Sequence, residues 1–419
     1  MFTIPVPVGP RRLSEYASII SADDLTALRS SSQPLTSLRV LHLSASPFGS
    51  AVSEMLSALV PLQRDLGIMA EWQLVRDVPR ICTRFYEGLR GDEVRWSAKE
   101  HAAWARVGED NLPASLHGYD VVVVHDPQLL GLVPDPVSTN RARWVWNCHL
   151  DTAGASLAVW HELCAALASY AGVVFPAPGL VRSDIPVPVV GLARPALDPW
   201  SLRNIPLTPD VIDGVLDRLG LDQARPILAQ FAPIDHRFAA LGALGTYWLV
   251  RRTLPNVQMV LAEVGLSDPD GRRLGLEQVT EALAGDPDIH VVTQDAELRP
   301  TEINALERAC TVALQMAVPR GFGWGLAECL WKERPCVVGK YGELPEQVGD
   351  AGIVVNAAPE AADAVLNLLD NPAEAARLGR AGHDRVTRNF LVTGLAADYS
   401  EVLREITGAG IGQKLNLVS

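Results

Sequence analysis

Short apolar runs alternate with stretches of helical period from residue 38 almost to the C-terminus. Leu38–Ser44 (LRVLHLS) is apolar and predicts a strand. After a loop, Val52, Met55, Leu56, Leu59 and Leu62 recur at helical spacing and predict a helix. Asp120–Pro127 (DVVVVHDP) is an unbroken apolar run, the pattern of a strand covered on both faces of a parallel sheet. RWVWNCHL follows, then a helical SLAVWHELCAALASY, then GVVFPAP and PVPVVGLA. After Pro195 and Pro199 the pattern restarts with PILAQFAP, VQMVLAEVG, IHVVTQ, TVALQMA, PCVVGK and GIVVN as strand candidates. Repeated β–α alternation predicts doubly wound parallel sheets. Two series split by the proline-rich joint Leu192–Ser201 predict two α/β domains with a hinge between them. Sheets of this type bind ligands at the carboxyl ends of their strands. The expected site is therefore a cleft between the two domains.

Composition narrows the partners. The net charge of the 419 residues is −13, which argues against nucleic acid or an anionic membrane surface, both of which select clustered basic side chains. No run reaches the ~18 apolar residues needed to span a bilayer, and the N-terminus lacks the basic-then-apolar plan of a signal peptide. The cysteines, Cys82, Cys148, Cys164, Cys310, Cys329 and Cys336, form no CxxC pair. Buried thiols in a reduced cytoplasmic protein are expected, and no zinc site.

The richest chemistry lies between Pro319 and Gly339 (PRGFGWGLAECLWKERPCVVG). The strand TVALQMA runs into a glycine-rich bend, and a helix follows that ends before Pro335. Backbone N–H groups at such a bend can approach an anion, and the helix dipole favours negative charge there. A phosphate or sugar phosphate is the natural guest; a tight turn without ligand is the plainer alternative.

In their order and spacing, several segments resemble GT-B glycosyltransferases of family 4, and within that family the trehalose glycosyltransferring synthases. They are SPFGSAVSEMLSALVPLQRDLGI, TRFYEGLRG, YDVVVVHDPQ, WVWNCHLD, PALDP, SDPDG and QMAVPRGFGWGLAECLWKERP, spread over residues 38 to 405. The resemblance implies two Rossmann-like domains in the GT-B arrangement. Residues 1–36 would be an N-terminal extension, 37–198 the acceptor domain, 199–390 the nucleotide-sugar donor domain, and 391–419 a helix crossing back to the first domain. It implies a nucleoside diphosphate sugar as co-substrate (GDP, UDP, ADP or dTDP), no further cofactor and no metal. It also suggests a homodimer.

Departures from the family pattern stand beside the matches. Where the family carries Arg and, five positions on, Lys to neutralise the donor diphosphate, this chain has Pro233 and Phe238, with Arg237 adjacent. Arg320 stands in place of the carboxylate that touches the transferred sugar, while Glu328 keeps the position that holds the ribose. The family's triple-glycine loop is reduced to Gly49, Ser50 and Ala51. Fixed cations stabilise a departing diphosphate, each by roughly 2–4 kcal/mol on the analogy of oxyanion donors. Arg320 is expected to restore one such charge. A guanidinium accepts no hydrogen bond, so a sugar unlike glucose, a repositioned donor or loss of transfer is expected.

By the same resemblance, Gly49, Arg237, Arg320, Gly321, Phe322, Gly323, Trp324, Gly325 and Glu328 form the donor side. Trp324 either stacks on the ligand or packs, and Glu328 either accepts from the ribose hydroxyls or complements the helix dipole. His149 and Asp151 match the strand-end catalytic pair. Phe85, Tyr86, Glu87, His125 and Asp126 fall on the acceptor side, with Asp126 before a proline also a turn starter. Tyr86 and Glu87 replace a usual His and Asn, so the acceptor is expected to differ; a sugar, a cyclitol or a small thiol fits. Retaining transfer in this fold lets the leaving phosphate help deprotonate the acceptor. A carboxylate nucleophile is missing at Arg320. The reading is a retaining glycosyltransferase of specialised metabolism; the alternative is a non-catalytic relative that binds a sugar nucleotide or a partner subunit.

Overall fold

The protein was analysed as a computed structural model. It is described over residues 3–45, 51–75, 84–89, 91, 93–94, 97, 99–100, 102, 104, 118–132, 142–234, 240–265, 269–293, 298–316 and 322–409. The chain divides into two compact units, Met1–Ala196 with Val392–Ser419, and Leu197–Leu391.

The first unit is built on a seven-stranded sheet. Its strands are β1 (Thr3–Pro5), β2 (Arg39–Ser44), β3 (Met69–Val75), β4 (Val121–Val124), β5 (Arg143–Asn147), β6 (Gly172–Phe175) and β7 (Val189–Leu192). Their order is β1-β3-β2-β4-β5-β6-β7. Every pairing is parallel except that of β1 with β3. The four valines of β4 are wholly buried, which is why their segment reads as an unbroken apolar run. The chain leaves β2 toward β3 and later returns to the other side of β2 as β4, so the topological switch point lies between β2 and β4.

Residues 1–36 are not a separate extension. β1 pairs with β3 as Thr3↔Val75 to Pro5↔Gln73, and the helix Ala22–Ser32 packs on the C-terminal helix Val392–Thr407, with Ser32 Oγ 2.9 Å from Ser400 Oγ. Ser21 caps the former helix by accepting from Asp24 N at 3.1 Å. The C-terminal helix also packs on β7 and on the helix Ala51–Asp65.

The second unit carries a six-stranded, wholly parallel sheet. Its strands are β8 (Ile227–Ala232), β9 (Gln258–Glu263), β10 (Ile289–Val292), β11 (Val312–Gln315), β12 (Cys336–Gly339) and β13 (Ile353–Val355), in the order β10-β9-β8-β11-β12-β13. Its switch point lies between β8 and β11. There Gln230 is buried and accepts from Met316 N at 3.1 Å, tying the end of one central strand to the exit of the other. Leu197 and Leu391, where the chain enters and leaves this unit, run side by side in a parallel bridge. No helix among the described residues is long and apolar enough to cross a membrane.

Candidate active site

In the first unit the parallel register places three histidines on one face of the sheet. His42 lies opposite Val123 of β4, and Val123 opposite Val145 of β5. From that row, two residues on from Val123 is His125, just beyond β4, and four residues on from Val145 is His149, just beyond β5. Side chains two apart share a face, so the three rings form a diagonal line. His42 Nδ1 lies 2.9 Å from His125 Nε2, and His125 Nδ1 lies 3.1 Å from His149 Nε2. At the inner end His42 Nε2 lies 2.9 Å from Gln63 Oε1, on the helix Ala51–Asp65. Neighbouring rings are near-parallel, with interplanar angles of 30° and 18° and centroids 5.2 and 5.4 Å apart, and meet edge to edge through these bonds. His42 and His125 are buried, and His149 is half-buried. Tyr399 closes the line from the C-terminal helix, its ring tilted against His42 and its hydroxyl accepting from Asn147 Nδ2.

Burial dominates the electrostatics of this line. It pushes the His42 imidazole down to about 4, against a smaller lift from Gln63. Burial, reinforced by the neighbouring rings, holds His125 well below the usual histidine range. Burial also lowers His149. These shifts favour the neutral form of all three, because burial strips a charged ring of its hydration.

The expected acceptor-side pair is therefore reassigned. His125 is buried, with its two ring nitrogens against His42 and His149. Asp126 Oδ2 accepts from Ala45 N at 2.7 Å and fastens the chain leaving β2 to the end of β4. Asp151 Oδ1 accepts from Ala153 N at 2.8 Å, closing its own turn. Glu87 lies half-buried on the helix Arg84–Leu89. The side chains of Phe85 and Tyr86, on the same helix, lie outside what is described, as does Gly49. His42 and Gln63 were not singled out from sequence. The available signal was a histidine inside an apolar strand and a glutamine four positions after Leu59 on an apolar helix face.

In the second unit the helix Trp324–Trp331 starts after the glycine bend. Gly323 N donates to Gln347 Oε1 at 2.9 Å, and Gln347 Nε2 donates to Gly323 O at 2.8 Å. The Gly323 N–H is thus taken by Gln347 in this structure. Gly325 is required by packing, since a Cβ there would come within 2.4 Å of Phe231 O on β8. The N–H groups of Trp324, Gly325 and Leu326 have no hydrogen-bond partner among the described residues, as the first turn of a helix leaves them. Phe322 packs edge-on to Trp324, ring centroids 5.3 Å apart, and tilts against Phe390 at 5.2 Å. Arg237, Arg320 and Gly321 lie outside the described residues.

Glu328 departs most from expectation. It is 2 % exposed, and both its oxygens meet the guanidinium of Arg203, the Nε contact at 2.6 Å. Beside it, Lys332 Nζ lies 2.7 Å from Glu307 Oε2 and 2.8 Å from Asn204 Oδ1. Arg203 also approaches Glu307 at 3.8 Å. Burial and the Glu328 charge push the Glu307 carboxyl up to about 8, against Lys332 and Arg203. Burial would raise Glu328 too, but Arg203 outweighs it and leaves that carboxyl below its ordinary value. In this structure Glu328 belongs to a buried ionic cluster and is not an open ribose acceptor. Arg203 carried no sequence signal, because its partner is 125 positions away.

The comparisons with known proteins agree with this frame. A family model described as "Trehalose synthase, N-terminal domain" matches residues 42–182. A trehalose synthase of Rubrobacter xylanophilus is 32% identical over 410 residues, covering 96% of this chain and 98% of the relative. The chain belongs to the trehalose synthase family. A further member, from Pyrococcus horikoshii, is 28% identical over 96% of this chain and 98% of its own length. Among solved structures, a trehalose-phosphate synthase of Burkholderia xenovorans in complex with glucose-6-phosphate aligns with a TM-score of 0.67 at 13% identity, covering 88% of this chain and 99% of its own. An Anabaena protein in complex with UDP and glucose aligns at 0.62 and 14%, covering 88% of this chain and 100% of its own. The two sheets, parallel but for β1, are those of the GT-B fold, and this member of the trehalose synthase family is a glycosyltransferase.

Two outcomes are expected. Glu328→Gln leaves Arg203 charged and half-neutralised in the interior, so the variant should lose about 3 kcal/mol or more of stability. An unchanged denaturation midpoint would contradict the buried pair. The second concerns His42, whose pKa of about 4 in the folded chain lies below the ordinary 6.5. The unfolded chain then binds a proton first, so this contribution is fully present above about pH 6.5 and is lost as pH falls toward about 4, up to roughly 3 kcal/mol. Urea midpoints across that range should fall less steeply for His42→Gln than for the parent; parallel curves would show that His42 is not buried neutral.

Proposed function

We propose that the protein moves a glycosyl group from a nucleoside diphosphate sugar to a small hydroxyl-bearing acceptor, with retention at the anomeric carbon. The observation that carries the donor assignment is the helix start at Trp324, where three N–H groups without partners among the described residues follow β11 at the switch point of the second sheet. Such a terminus suits a diphosphate. The relatives' names support sugar transfer, and the Anabaena structure with UDP and glucose supports a nucleotide donor.

Donor and acceptor are specialised and are not glucose and glucose. Arg320 replaces a sugar-side carboxylate, and Pro233 and Phe238 replace two diphosphate-binding cations of the resembled family. Arg320 supplies positive charge to the phosphates in their stead. With no carboxylate at that position, retention runs on one face of the sugar, and the departing phosphate takes the acceptor proton. His149 contributes as a neutral strand-end group. A homodimer in a reducing cytoplasm belongs to the same proposal; the five described cysteines, all unpaired, support the compartment.

Calorimetric titration with UDP, GDP, ADP and dTDP should show one of them binding, and Arg320→Glu should weaken that nucleotide about tenfold or more, the effect of losing a charge-assisted bond. Silence from all four at millimolar concentration would end the proposal.

A further inference from the structure

With the Gln63 amide oriented as in this structure, the line of histidines has one direction. Gln63 presents its carbonyl oxygen to His42 Nε2, and an oxygen of this kind only accepts, so His42 carries its proton on Nε2. A neutral imidazole has one N–H, which leaves His42 Nδ1 bare. Its partner, His125 Nε2, must then be the donor. By the same step His125 Nδ1 is bare and His149 Nε2 donates to it. His149 is left with a bare Nδ1. We propose that Gln63, His42 and His125 are positioning residues that fix the tautomer of His149, so that it offers an unprotonated Nδ1 as a hydrogen-bond acceptor to a hydroxyl of the bound substrate.

Geometry couples each link to the next, so the Gln63 amide sets them all. The two inner rings are buried, so a broken link would strand a ring nitrogen in the interior. The ring-to-ring hydrogen bonds and the tilt of Tyr399 against His42 limit rotation out of the line. The chain of bonds ends at an amide, which is too weak a base to accept a proton. The line therefore does not conduct protons out of the site. It holds His149 neutral and oriented, which suits reading a sugar hydroxyl and does not suit removing its proton. Rotating the Gln63 amide by half a turn would place its Nε2, now buried without a partner, against His42 and reverse every link. His149 would then offer an N–H instead.

The tautomer stands independently of the transferase reading; its use by a substrate hydroxyl rests on that reading. The test is nitrogen NMR of the full-length protein labelled with 15N-histidine, near neutral pH, with resonances assigned from His125→Gln and His149→Gln variants. The expected result is a nitrogen–nitrogen coupling across each of the two ring–ring hydrogen bonds, with protons on Nε2 of His125 and His149 and a bare-nitrogen shift at His149 Nδ1. Gln63→Leu should move the His149 nitrogen shifts from two rings away. A proton on His149 Nδ1, or absence of both couplings in the parent protein, would overturn the proposal. Failure of the nucleotides to bind, with the couplings present, would instead count against the substrate assignment alone.

Discussion

The need to bury imidazole without burying charge governs the first unit. Parallel strands β2, β4 and β5 bring their carboxyl ends to neighbouring heights, and the register carries one histidine on each to the same face. A buried imidazolium costs several kcal/mol unless a counter-ion compensates, and among the described residues the partners of this line are neutral. Each ring is satisfied by the next, and the last of them stands half-buried at the strand end where doubly wound sheets place their ligands. The Asn147–Tyr399 bond and the tilt of Tyr399 draw the C-terminal helix into the same arrangement, so the 392–407 segment helps to shape this site.

The second unit meets the opposite difficulty, since it does bury charge. Arg203, Glu307, Glu328 and Lys332 are almost fully enclosed and compensate one another. Such clusters contribute little net stability when whole and cost much when one member is removed. They favour one arrangement of the groups that make them. Here they fix the helix Trp324–Trp331 against the helix Pro300–Ala309 and against the chain just after Leu197. Gln347 holds the bend from the other side through both polar groups of Gly323. The start of the helix is thus held by hydrogen bonds on one side and by ion pairs on the other.

Much of this architecture was legible in the chain. The valine run of β4 and the apolar cores of β8, β9 and β12 announce buried parallel strands, because a sheet covered on both faces admits no polar alternation. β3 was missed for the converse reason: Met69 and Glu71 face solvent while Ala70 and Trp72 do not, and the run reads as a mixed segment. Side-chain partnerships were the hidden part. His149 was found through its motif, but His42, Gln63 and Arg203 act through residues 83, 21 and 125 positions away. Glu328 shows the limit of a motif, since spacing specifies where a carboxylate sits along a helix but not which cation reaches it first.

The central claim is that a neutral strand-end histidine and a diphosphate-binding helix start serve sugar transfer with retention. The most direct measurement is the anomeric configuration of the product, read by proton NMR after mass spectrometry has found a glycosylated acceptor in a donor–acceptor screen. The account predicts a product with the anomeric configuration of the sugar in its donor. An inverted product, or a nucleotide that binds without any donor being turned over, would contradict it.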